Sequence, residues 1–141
     1  MITEMEADRI YNEPKILTDK VIKWRWNDFS GSYKLKANVI TKKTSKNLDL
    51  HGVLRNNKFG FVLLYQNCIR IRRFDFEERH YNPDGTLITG PHKHKWHQEY
   101  EDKIAYEVSD IDISDINQAF HDFLDECKIT KKGRYKDLLI Y

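Results

Sequence analysis

Polar and apolar residues alternate with a period of two through much of the first eighty positions, and that alternation predicts a sheet. From Val21 onward, Ile22, Trp24 and Trp26 fall on one side of a strand and Val21, Lys23 and Arg25 on the other. The Asn27-Asp28 and Ser30-Gly31-Ser32 cluster breaks it, and Tyr33, Leu35, Ala37 and Val39 then alternate with Ser32, Lys34, Lys36 and Asn38. Leu48, Leu50 and Leu54 mark a third strand, and a turn at Asn56-Asn57-Lys58 leads into Phe59 to Tyr65, apolar on both faces and so expected near the centre of the sheet. A fifth strand runs from Cys68 to about His80, with Phe74 and Phe76 on one face and Arg73, Asp75 and Glu77 on the other.

Asn82-Pro83-Asp84-Gly85 is strong turn chemistry, because proline presets one dihedral angle and glycine supplies a positive φ. The chain is expected to reverse there, return through His92 to Trp96, and continue into a segment from Ile104 to Val108 that extends or pairs with it. Two helices flank these strands. Thr3 followed by Glu6 is a capping-box pattern and predicts a short helix through Met5, Ala7, Ile10 and Tyr11, ending near Glu13 because Pro14 disfavours helical geometry in the residue before it. Ser114 is the expected N-cap of a second helix, whose stripe of Ile116, Phe120, Phe123, Leu124 and Cys127 should pack on the sheet. In the tail, Leu138-Leu139-Ile140 is expected to dock as an edge strand. The three tryptophans, Trp24, Trp26 and Trp96, read as core.

The expected architecture is therefore α+β: an antiparallel sheet of about five to seven strands with a short N-terminal and a C-terminal helix, one domain over residues 1–141. A chain of 141 residues buries a core without help from disulfides. Cys68 and Cys127 are too few for a disulfide framework and read as buried, reduced side chains. No apolar run approaches a bilayer span, and the N-terminus lacks the basic start and apolar stretch of a secretory signal, so the expected location is the cytoplasm.

Charge is close to balanced, 24 basic against 22 acidic residues, and the net +2 points to no partner. Locally, Arg70, Arg72, Arg73 and Arg79 concentrate on the fifth strand and, with Lys34, Lys36, Lys42, Lys43 and Lys46, outline a basic face suited to phosphates. Asp75, Glu77 and Glu78 in the same strand favour a solvated face laced with cross-strand ion pairs instead.

The sharpest chemical signal is histidine. His92 and His94, two apart on a strand, project from one face, and paired strand imidazoles supply half of a tetrahedral zinc site. A long turn would place His80 opposite His92, Glu78 opposite His94 and Phe76 opposite Trp96, making His80, His92 and His94 the ligands. A tight turn would instead set Asp75 and Glu77 opposite His94 and His92. Asp84, Glu78, His97 or water could supply a fourth ligand. The bland alternative is three loop-proximal histidines bonded to carboxylates or water. No serine sits in a nucleophile elbow, no cysteine has a histidine partner by motif, and no phosphate-cradling loop is present. Gly85, His92, His94 and Glu99 resemble the first cupin motif, but the glycine spacing is one residue too long and the second motif is missing.

The run Arg79-His80-Tyr81-Asn82-Pro83-Asp84-Gly85, then Gly90-Pro91-His92-Lys93-His94 and Asp102-Lys103-Ile104-Ala105-Tyr106, resembles a family of small proteins from phages and mobile elements of Gram-positive bacteria. The resemblance implies a protein that acts by binding host machinery in the host-cell cytoplasm, anti-CRISPR inhibitors of RNA-guided DNA nucleases being the leading example. The expected function is then a zinc-stabilised protein-binding module that is not an enzyme, with a host defence protein as partner. Its rivals are a metal-dependent hydrolase or nuclease built on the same histidines, and a nucleic-acid-binding regulator.

Overall fold

The computed structural model of the chain describes all residues except 1, 98, 109, 112, 140 and 141; the side chains of 77–79 also lie outside the described set. Its centre is a nine-stranded sheet. The strands are β1 (Lys15–Leu17), β3 (Arg25–Asn27), β4 (Ser32–Thr41), β5 (Asn47–Arg55), β6 (Lys58–Tyr65), β7 (Ile69–Tyr81), β8 (Leu87–Lys95), β9 (Ala105–Glu107) and β10 (Ile129–Lys131). They lie in the order β10-β1-β4-β5-β6-β7-β8-β9, with β3 paired to β4. A second sheet joins β2 (Val21–Ile22) to β11 (Arg134–Tyr135). Two helices complete the fold, α1 (Glu4–Asn12) and α2 (Ile116–Glu126).

The sheet is thus larger than the five to seven strands expected, and mixed rather than antiparallel, because β1 runs parallel to β10 and β2 parallel to β11. Strands of two or three residues carry too few positions to display a period, so β1, β10 and β11 did not stand out in the sequence, and β2 was expected only as part of a longer strand. The long strands did. β4 through β8 form an antiparallel meander, and Phe59 to Tyr65 does sit inside the sheet, between β5 and β7.

Several local expectations are corrected. The strand expected from Val21 to Trp26 breaks at Lys23-Trp24 into β2 and β3, which belong to different sheets. Trp24 leaves the strand to enter the core, where its Nε1 donates to Tyr135 Oη at 2.8 Å and its ring lies against Gly52; a Cβ there would stand 2.7 Å from the ring. Trp96 is also buried, but Trp26, at the sheet margin, is 53% exposed. Asp115, not Ser114, caps α2, its carboxylate accepting from Asn117 N at 2.9 Å. Cys68 is exposed because it sits in the Gln66-Asn67 turn, two residues of positive φ, just before β7 begins; Cys127 is buried. Leu138 docks by donating its N–H to Asn117 Oδ1 and accepting at its C=O from Asn117 Nδ2 rather than as a strand, Leu139 is exposed, and Ile140 lies outside the described residues. Thr3 Oγ1 does accept from Glu6 N, while the Glu6 carboxylate faces Lys46 instead of closing the capping box.

One face of the sheet carries the core. Leu35, Ala37 and Val39, Leu48, Leu50 and Leu54, Phe59, Phe61 and Leu63, and Phe74 meet the α2 stripe, in which Phe120 and Phe123 are fully buried and lie 6.0 and 5.7 Å from the Phe61 ring. Burying each phenylalanine is worth about 1.5–3 kcal/mol. The same face holds buried charge: Glu126 pairs with Arg72 at 3.2 Å and with Lys93, and Arg72 lies 3.9 Å over the Tyr11 ring.

Lys15 is the most deeply buried cation, 0% exposed, and its Nζ donates to Tyr11 O (2.7 Å), Glu13 O (2.8 Å) and Cys127 O (2.8 Å). Burial pulls its pKa down to about 8, leaving an ammonium at neutral pH whose three protons match three carbonyl acceptors. Replacing it with methionine keeps the stem and orphans those carbonyls. Lys15→Met should therefore lower unfolding free energy by roughly 3 kcal/mol or more, seen as an earlier midpoint in urea with an unchanged slope.

Candidate metal centre and the open face of the sheet

The face of the sheet opposite α2 is built from the alternate residues of the same strands. Cross-strand partners share a face, so the pairings give two rows: Arg25, Lys34, Val53, Gly60, Asp75, His92 and Glu107, then Lys36, His51, Val62, Arg73, His94 and Ala105. His92 and His94 thus stand side by side on this face, opposite Asp75 and Arg73. Neither register weighed from the sequence is the observed one.

His80 should be excluded by parity. In an unbroken β7 it would share a face with Phe74 and Phe76, because all three are even-numbered. The register shifts between Glu77 and Arg79, which inserts one residue and turns His80, paired with Ile88, onto the face of His92 and His94. Gly90, at φ +77, lies opposite Glu77 beside the shift, where β8 takes a conformation that glycine adopts without strain. The end of β7 then reaches the start of β9 and the loop before it: Asn82 donates to Ala105 O (3.0 Å) and accepts from Ala105 N (2.7 Å), while His80 Nε2 meets Lys103 O at 2.7 Å.

The three rings converge, with centroids 5.5 Å (His80 to His92), 4.7 Å (His80 to His94) and 4.8 Å (His92 to His94) apart, and one ligand nitrogen from each lies within 4.8 Å of the others. His92 and His94 are both 0% exposed. Each ring has one nitrogen on a backbone carbonyl: His92 Nδ1 on Gly90 O (3.0 Å), His94 Nδ1 on Asp102 O (2.6 Å) and His80 Nε2 on Lys103 O. A carbonyl only accepts, so each of these nitrogens carries the proton and the other bears a lone pair. Carbonyl contacts of this kind orient metal-bound histidines. The lone pair of His92 Nε2 is buried with no hydrogen-bond partner, at a cost of about 1–3 kcal/mol.

Arg73 is the nearest cation. Its Nη2 lies 2.9 Å from His94 Nε2 and 3.1 Å from Nδ1. Lying in the ring plane, a nitrogen so nearly equidistant from both would overlap Cε1, so Nη2 sits over the ring face and leaves the in-plane direction of the lone pair free. Asp75 (3.0 Å) and Asp102 (3.2 Å) hold Arg73, Asp102 also pairs with Arg70 at 3.4 Å, and Asp75 Oδ2 is 3.6 Å from His94 Nε2. Two carboxylates match two guanidiniums here. Gly60 leaves room for Asp75 to lie across β6, since a Cβ would meet its Oδ1 at 2.7 Å.

The other residues named from sequence lie elsewhere. Asp84 stays in the exposed turn, where the Thr86 hydroxyl and then the Thr86 N–H, 2.9 Å away, hold its carboxyl below the usual range. His97 is bonded to Tyr106 Oη and Glu4. The Glu78 and Arg79 side chains fall outside the described residues. Arg72 is not part of a basic face, because it is directed to the covered side and to Glu126, while Lys42, Lys43 and Lys46 follow β4 at the turn near α1. Sequence reasoning missed Asp102, whose contribution comes from a loop carbonyl and carboxylate without periodic signature. The Arg73-Asp75 pair was legible, since residues two apart share a strand face.

A family model matches residues 2–129. The chain belongs to a family of unknown function, DUF6978. The matched span includes all three histidines and the whole open face. No curated protein and no solved structure matches the chain. Among the described residues no helix is long and apolar enough to cross a membrane.

Burial first, then Arg73, depresses the His94 pKa from the usual 6.5 to about 3, against the pull of the Asp102 carbonyl. The unfolded chain takes up this proton near pH 6.5 and the folded chain only near 3, so the stability it contributes is full above that window and lost as pH falls through it. With a chelator present, the thermal midpoint should fall between about pH 7 and about pH 5, above the range of ordinary carboxylates, and His94→Gln should flatten that fall.

Proposed function

We propose that the chain is a metal-stabilised binding module in which His80, His92 and His94 hold one divalent transition metal, zinc before others. The observation that carries this reading is the orphaned lone pair of His92 Nε2, buried beside two further imidazoles whose tautomers are set by backbone carbonyls. Three imidazoles suit zinc, copper, iron or nickel, and tetrahedral zinc is the commonest such site. Zn–N bonds of about 2.0–2.1 Å put ligand nitrogens about 3.3 Å apart, so rings whose nitrogens lie within 4.8 Å need to draw together by up to about 1.5 Å. Such a metal would tie β8 to the bent end of β7. The full burial of His92 and His94 favours a structural ion over one exchanging substrate with solvent.

The partner side of the reading, a host defence protein such as an RNA-guided nuclease inhibited by a phage-encoded chain, rests on the resemblance of the Asn82-Pro83-Asp84-Gly85 and His92-Lys93-His94 segments alone. A metal-dependent hydrolase is the second reading, favoured by the Asp75 carboxylate 3.6 Å from His94 Nε2, where it could serve a metal-bound water as base.

Elemental mass spectrometry on protein purified without a histidine tag should find about one zinc per chain, and none in His92→Ala/His94→Ala. Chelation should lower the thermal midpoint of the wild type and leave the variant unmoved. Metal-free protein whose stability ignores added zinc, cobalt or nickel would end this reading. Phosphodiester turnover lost in Asp75→Asn with zinc retained would favour the hydrolase; stoichiometric inhibition of a nuclease without turnover would favour the binding module.

A further inference from the structure

Beyond the triad, the open face holds a trough of about 530 Å3 across β4 to β7, bordered by Lys34, Lys36, His51, Arg70, Arg73 and Asp75 and floored by Val53 and Val62. Its charge is unevenly satisfied. Arg73 is committed to Asp75 and Asp102, and Arg70, exposed, shares Asp102 at 3.4 Å. Lys34 and Lys36 are exposed and, with Arg25 opposite Lys34, have no ion-pair partner among the described residues. Lys34 and Lys36 are two residues apart on β4 and so stand about 6.6 Å from each other on one face. Arg25 adds a third cation one strand away.

The hairpin from β3 to β4 ends at Phe29, whose side chain is wholly exposed. It lies five residues before Lys34, on a turn whose last strand residues are Asn27 and Ser32, so the ring sits roughly 10 Å along the strand from the Arg25-Lys34 pair.

We infer that this trough docks a single strand of nucleic acid, its phosphates along Arg25, Lys34, Lys36 and Arg70 and one base against Phe29. Cations along a groove, with a wholly exposed aromatic ring on the adjoining β3 to β4 hairpin, suit non-specific strand binding. A protein partner fits less well, because interface centres are enriched in aromatic residues and depleted in lysine, and the floor here offers two valines. His51 lies in the same row as Lys36, and burial followed by the charge of Lys36 lowers its pKa, so it enters the trough neutral at pH 7. This inference is independent of the metal: it uses the β3 to β7 side of the face and none of the three imidazoles.

The test is fluorescence anisotropy of a labelled oligothymidylate titrated with the full chain over a range of salt. Four phosphate contacts on a single strand give a slope of log affinity against log salt of about −3. Lys34→Glu/Lys36→Glu should weaken binding at low salt by at least about tenfold and bring the slope toward zero by about 1.4, with the thermal midpoint unchanged. Phe29→Ala should cost about fivefold or more with the slope unaltered. Lys42→Glu/Lys43→Glu makes the same charge change at the far turn and should bind as the wild type does. Absence of binding at low salt, equal loss in the far-turn variant, or tighter binding of polyglutamate than of the oligonucleotide would each overturn the assignment, the last in favour of an acidic protein surface.

Discussion

Both helices end on one buried ammonium. Lys15 takes the Tyr11 and Glu13 carbonyls at the end of α1 and the Cys127 carbonyl at the end of α2, and no solvent reaches any of the three bonds through the lysine side chain. A positive charge at two helix C-termini is also favourable for the helix dipoles. The same residue opens β1, which pairs with β4 on one side and with β10 on the other. The ion therefore fixes where α2 returns to the sheet, and with it which face is covered. Once α2 lies over Phe61, the alternation of each strand leaves the opposite residues facing away from the core helix.

That alternation explains both what the sequence made legible and what it hid. The five long strands, the turn at Gly85, the apolar stripe of α2 and the pairing of His92 with His94 all follow from periods of two or 3.6 that chemistry imposes on a backbone. The register of β7 against β8 does not, because it depends on an inserted residue between Glu77 and Arg79, and a bulge leaves no compositional trace when it is not glycine. His80 joins the other two histidines because of that insertion. The convergence was anticipated from an opposed pairing of His80 with His92, while the structure reaches it with His80 opposite Ile88 and a bent arm. The parallel pairs were invisible for a different reason: β1 and β10 are separated in sequence by the long strands and α2, and two or three residues cannot advertise a distant partner.

Charge was hardest to read. Arg72 and Arg73 are neighbours in sequence with identical chemistry, yet strand geometry sends the first to Glu126 under α2 and the second to Asp75 and Asp102 on the open face. A basic cluster counted along β7 therefore divides between two environments of opposite meaning. On the covered side the guanidinium completes a buried ion network with Lys93, whose removal would strand a carboxylate in the core. On the open side it is neutralised beside the histidines. The unpaired cations come from β3 and β4, and Lys34 and Lys36 alternate there with buried Leu35 and Ala37.

Two buried imidazoles and a half-buried third are an expensive way to fill space. A packing role at positions 92 and 94 would be met by leucine or phenylalanine without desolvating polar nitrogens. A purely hydrogen-bonded histidine would be expected to satisfy both of its nitrogens, as His97 does with Tyr106 and Glu4. His92 satisfies one and buries the other. The carbonyls come from two segments, Gly90 in β8 and the adjacent Asp102 and Lys103 in the loop before β9, and each sets its ring's tautomer so that a lone pair remains. The unmet acceptor of His92 is buried beside the lone pairs of two further rings, and an electron-pair acceptor placed among the three is the simplest chemistry that would remove its cost.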